Sequence, residues 1–190
     1  MSCLARRMIL AAAVMLPGTR VFAQGLSTDV VNRAPLADAA RAGDIKTLRG
    51  LLLAGQQPNS LDLYKVPAIV LAAQGGHAAA IDLLLQYGGR TDLRDREGNT
   101  ALIHAAQRGH DAAVEALIRG KANVNLEGTQ GITPLMVAAQ RGQAIVVTQL
   151  LKAGADWKRE DFTGRTALRY AEENARSNVA TLLRRAASRN

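Results

Sequence analysis

Short apolar runs alternate with polar, glycine-bearing breaks along most of this chain, and the apolar positions inside each run fall at helical spacing. The stretch 93–125 shows the unit. Asp95-Arg96-Glu97-Gly98-Asn99-Thr100 carries turn residues, and Thr100 is placed to cap a helix, its hydroxyl accepting from a free N–H of the first turn. A helix is predicted over Ala101–Arg108, ended by Gly109. A second is predicted over Ala112–Arg119, with Val114, Leu117 and Ile118 spaced for burial. Gly120-Lys121-Ala122-Asn123-Val124-Asn125 leads out, and no strand pattern lies inside the unit.

The unit recurs. Ala39-Ala40-Arg41-Ala42-Gly43 returns as Ala72-Ala73-Gln74-Gly75-Gly76, Ala105-Ala106-Gln107-Arg108-Gly109 and Ala138-Ala139-Gln140-Arg141-Gly142, and a worn copy starts at Ala171. The step is 33 residues each time, which signifies a stacked array whose units bury their apolar faces against their neighbours. The expected architecture is an all-α solenoid of about five 33-residue turn-helix-turn-helix units, at 33–59, 60–92, 93–125, 126–158 and 159–186. A lead-in at 24–32 and a tail at 187–190 flank them. Ala40, Ala73, Ala106 and Ala139 share one position whose fifth occupant is Glu172, and Asp38 stands where Leu71, His104, Val137 and Tyr170 follow. A carboxylate is costly in a tight helix contact, so Asp38 and Glu172 are expected on outer faces of capping units.

Several positions coincide with a known pattern. Gly131-Ile132-Thr133-Pro134-Leu135-Met136-Val137-Ala138-Ala139-Gln140-Arg141-Gly142, with Gly154-Ala155-Asp156 and Ala122-Asn123-Val124-Asn125 at the exits, resembles the ankyrin repeat over residues 33 to about 186. The family's usual histidine in the first helix is replaced by Ala37, Val70, Ile103, Met136 and Arg169, so its hydrogen-bond role is absent. The second unit has Lys65 where Gly98, Gly131 and Gly164 stand.

The first residues follow another rule. Arg6 and Arg7 precede an apolar run from Met8 to Leu16, Pro17-Gly18 breaks it, and Val21-Phe22-Ala23 offers small residues at a cut. Residues 1–23 therefore read as a cleaved secretory signal, cut after Ala23. The run is about half the roughly 20 residues of a membrane span. Of the 24 basic residues Arg6, Arg7 and Arg20 would leave, giving 21 against 16 acids and a mature net charge of +5 in place of +8. Cys3, the single cysteine, would leave too. A thiol-free chain suits an oxidising compartment, and a bacterial periplasm is the expected location.

No catalytic constellation is legible, so an enzyme is not expected, and neither a metal nor a cofactor is implied. His77 and His110 share a repeat position, but a zinc site would need a third and usually a fourth ligand. The family pattern places a structural histidine there. His104 lacks a nucleophile or a carboxylate at an obvious helical spacing and is expected to pack between units. Gly75-Gly76 and Gly88-Gly89 lack phosphate-loop spacing. No row of aromatics accompanies the arginines, which argues against nucleic acid. Arg184, Arg185 and Arg189 fit a solvated cap better than a membrane anchor.

The resemblance implies a binding surface on the concave face, made by turn tips and the exposed side of each first helix. Gln74, Gln107 and Gln140 form one column and Arg108 and Arg141 another. Arg96, Asn99, Gln130 and Arg165 lie in the turns, and Tyr64, Ile132 and Phe162 read as exposed apolar tips. Aromatic anchors among arginines compose hot spots, and arginine binds carboxylates bidentately. The expected function is a monomeric, non-catalytic protein-protein interaction module in the periplasm, its partner a protein with an acidic or carboxylate-bearing surface. An immunity protein against a periplasm-acting toxin and a membrane-surface adaptor are the alternatives.

Overall fold

A computed structural model describes residues 34–188; the signal and lead-in expected at 1–32 lie outside the described residues. Ten α-helices follow in five pairs: α1 (Pro35–Ala42) and α2 (Ile45–Leu53), α3 (Ala68–Gly75) and α4 (Ala78–Gln86), α5 (Ala101–Arg108) and α6 (Asp111–Arg119), α7 (Pro134–Arg141) and α8 (Ala144–Lys152), α9 (Ala167–Glu173) and α10 (Ser177–Ala187). The odd helices stack in one layer and the even helices in a second, each pair touching the pair before and after it. This is an all-helical repeat solenoid. None of the described helices is long and apolar enough to cross a membrane.

Helix starts follow the threonines. Thr100, Thr133 and Thr166 are N-caps whose hydroxyls accept from the amides of Ile103, Met136 and Arg169. The helix predicted at 101–108 has those bounds, and its successor begins one residue earlier than predicted, at Asp111. Each first helix of units one to four stops at a left-handed glycine: Gly43, Gly76, Gly109 and Gly142, with φ between 68° and 77°. A second constraint acts at the same spot. A Cβ on Gly43 would stand 2.5 Å from the ring of His77, and one on Gly76 would stand 2.9 Å from the ring of His110.

Those histidines explain the close approach. His77 bonds the carbonyl of Arg41 at 3.1 Å and His110 that of Gln74 at 3.2 Å, each reaching one unit back through Nε2. The ring nitrogen faces a carbonyl, so Nε2 carries the proton. Arg176 repeats the move on the carbonyl of Gln140 at 3.3 Å. The two histidines thus bind successive units, and among the described residues no three His, Cys, Asp or Glu side chains converge as metal ligands. On the far side of each unit Asn59, Asp92 and Asn125 accept from the amides of Arg90, Asn123 and Asp156, adding one inter-unit bond per step.

The core is aliphatic and alanine-rich. Ala40, Ala73, Ala106 and Ala139 are fully buried, with Leu48, Ile81, Leu84, Leu117 and Leu150 behind them. Small side chains let the odd helices approach closely while leucines fill the space between layers. The alanine column ends at Glu172, which is exposed and pairs with Arg184 at 2.7 Å; Asp38 at the other end is also exposed.

Candidate functional site

The loops before α3, α5, α7 and α9 are fingers that project beside the odd helices. Where the sequence showed no strand pattern, three of them close on single antiparallel bridges: Leu61 with Pro67, Arg94 with Thr100 and Glu160 with Thr166. A carboxylate builds each of these three. Asp62 accepts from the amides of Tyr64 and Val66, Asp95 from those of Glu97 and Asn99, and Asp161 from those of Thr163 and Arg165, all at 2.8–3.0 Å. An aspartate that accepts two and four residues ahead closes its own turn. In the fourth unit Gly128 takes this position, and the finger is instead a short 3-10 turn, Thr129–Gly131, with Gln130 left-handed at φ 62°. Thr129 is tied back to unit three through its hydroxyl to the Glu97 carbonyl and its amide to Asn99 Oδ1.

The second oxygen of each aspartate faces the helices, where a different donor meets it. Arg41 of α1 pairs with Asp62. His104 Nε2 lies 2.6 Å from Asp95 Oδ2, and Gln74 approaches the same ring nitrogen at 3.5 Å. The Tyr170 hydroxyl donates to Asp161 Oδ2 at 2.7 Å, and Arg165 donates to that oxygen at 3.1 Å while lying 4.6 Å over the Tyr170 ring. Sequence reading gave His104 no carboxylate partner; Asp95 supplies one from outside the helix, nine residues upstream, where no helical spacing would show it. The signal was the Asp62, Asp95, Asp161 column, interrupted once by Gly128.

Burial opposes ionisation of Asp161, but the bonds from Tyr170, Thr163 and Arg165 outweigh it and hold the carboxyl well below the usual range. Burial, then the bond to ionised Asp161, pushes Tyr170 up to about 12. The Arg165 guanidinium is raised by Asp161 against a desolvation that acts the other way.

These braces sort the sequence-predicted residues. Tyr64 and Phe162 project, 66% and 80% exposed. Ile132 is half-buried against the core, while Gln130 is exposed. Arg165 is spent on Asp161 and Tyr170. Asn99 braces the next finger, and Gln74 sits at His104. Gln107 and Gln140 are half-buried on the same side. Arg96, Arg108 and Arg141 are exposed and meet no carboxylate within ion-pair distance among the described residues.

A family model described as ankyrin repeats (3 copies) matches residues 36–128 and 112–190. The chain belongs to the ankyrin repeat family. No curated protein matches it significantly. Ankyrin repeats are protein-protein interaction modules and are generally non-catalytic. On the finger face Asp62, Asp95 and Asp161 are hydrogen-bonded from within, while Arg96, Arg108 and Arg141, and the exposed carboxylates of Glu97 and Glu160, have no ion-pair partner among the described residues.

Proposed function

We propose that this ankyrin protein acts after export to the periplasm, as a monomer. It binds a partner protein on its concave finger face and does no chemistry there. The partner presents carboxylates. One observation carries this reading: Asp62, Asp95 and Asp161 are closed off by Arg41, His104 and Tyr170, while Arg96, Arg108 and Arg141 keep their donors free between the projecting rings of Tyr64 and Phe162. A stack braced between units loses little ordering entropy on binding, so the contacts convert into affinity with small loss. Export is supported by the charged and apolar pattern of residues 6–23.

The test is a pull-down from periplasmic extract with residues 24–190 beside an Arg108→Glu, Arg141→Glu variant, both first matched for helicity and melting. A protein retained by the parent and lost by the variant is the expected result. Equal retention by both would remove the finger face from the reading.

A further inference from the structure

The cations on the outer face of the even-helix layer are paired with carboxylates in the middle of the stack and not at its C-terminal end. Arg119 of α6 is held by Asp82 at 3.0 Å and Glu115 at 3.2 Å. In the last two units the positions of Asp82 and Glu115 are Thr148 and Thr181, while the Arg119 position stays cationic as Lys152 and Arg185. Both are exposed, and neither meets a carboxylate within ion-pair distance among the described residues.

A groove runs between them. Thr148, Leu151, Leu182 and Ala186 of α8 and α10 floor a cavity of ≈ 390 Å³. It continues past Leu151 and Ala186 into a second of ≈ 470 Å³ beside Trp157 and Lys158, whose ammonium stands 5.2 Å from the Trp157 ring. The carboxylate in that wall, Asp156, turns Oδ1 to the Lys158 amide at 3.0 Å. By contrast, the corresponding groove between α2 and α4 is lined by Arg49 of one helix and the carboxylate of Asp82 of the other.

We propose that the α8–α10 groove binds a single-chain anionic amphiphile, a long-chain carboxylate. Its headgroup lies between Lys152 and Arg185 and its tail runs over Leu151 and Leu182 toward Trp157. The volume falls within the few hundred Å³ usual for ligand sites, and an apolar floor with a few placed charges is their usual composition. Arginine offers the carboxylate two parallel donors and lysine a point charge. An anionic bilayer also attracts cations beside apolar side chains, but it is entered by side chains that project. Leu151, Leu182 and Trp157 are half-buried and recessed, which suits a tail laid into the protein. The site is separate from the finger face and does not depend on the reading given to it.

Trp157 is the single tryptophan of the chain, so its fluorescence reports this groove. Residues 24–190 are titrated with laurate below its critical micelle concentration. A saturable change is expected. It should weaken at least about tenfold in a Lys152→Glu, Arg185→Glu variant. A Lys152→Gln, Arg185→Gln variant should move the same way, and Arg108→Glu, Arg141→Glu should leave it unchanged. Dodecanol and dodecyltrimethylammonium should bind more weakly than laurate. No saturable change, or equal affinity in folded variants lacking both cations, would overturn the proposal. So would binding to phosphatidylglycerol vesicles with no binding of monomeric laurate.

Discussion

At the scale of single residues, two kinds of position govern stability here. The first is the brace beneath the last finger. Asp161 is buried and its folded-state carboxyl titrates below its unfolded value, so the stability it contributes is fully present above about pH 4 and is lost as pH falls through the folded value. Tyr170→Phe leaves that carboxylate one donor short and should cost about 2 kcal/mol at pH 7. Urea melts of both proteins at pH 7 and pH 3 check this: both should lose stability at pH 3, where the unfolded carboxyl protonates, and the gap between them should persist, because the folded Asp161 is still ionised there. The second kind is the left-handed residue that is not glycine. Lys65, Lys121 and Ala175 hold φ of 59°, 62° and 54° at positions where the other copies have Gly98, Gly88 and Gly142. Left-handed backbone costs an L-residue about 1–2 kcal/mol, and glycine returns part of this as unfolded-state entropy. Ala175→Gly and Lys121→Gly should each raise stability by about 0.5–1 kcal/mol, read from the urea midpoint; a fall would show that the side chains contribute more than their strain costs.

Helix contact decides the next scale. Every inner odd helix presents a fully buried alanine to its neighbour, and the same position in α9 is solvated Glu172. Ala106→Glu places an unpaired charge between α5 and its neighbours and should cost at least about 3 kcal/mol. Glu172→Ala removes one exposed pair with Arg184 and should stay within about 0.5 kcal/mol of the parent. Thermal melts that showed equal losses would contradict the capping role of α9 and α10. The fingers obey a different logic, since each is closed by its own aspartate and tied down by a donor from the helices. The paired fingers of units three and four, joined by Thr129 to Glu97 and Asn99, should move as one body.

For the whole molecule, a stack in which units touch their immediate neighbours behaves as a chain of linked local stabilities. The inner pairs α3–α8 have partners on both sides, whereas α1–α2 and α9–α10 have them on one among the described residues. Amide hydrogen exchange should therefore be slowest in α3–α8 and fastest in α2 and α10, with exchange in α10 slowing if a long-chain carboxylate fills the α8–α10 groove. Uniform protection along the stack would indicate a single all-or-none unit.

Much of this protein was legible without coordinates. The 33-residue step, the Thr100 cap and the glycine stops follow from rules that act within a few residues, and the helix at 101–108 begins and ends where they place it. The family follows from the same repetition. What needed the tertiary structure were partnerships between residues far apart in the chain or across a finger and a helix. Arg41 lies 21 residues from Asp62, His77 meets a carbonyl 36 residues back, and Asp95 reaches His104 from outside its helix. No local periodicity encodes such meetings. They decide which polar side chains are consumed in holding the stack together, as Arg165 and Asn99 are, and which, as Arg96, Arg108 and Arg141, keep their donors free. The C-terminal groove follows the same division: the change from acid to threonine at 148 and 181 stands in the sequence, but the recessed apolar floor beside Trp157 exists because α10 packs across α8.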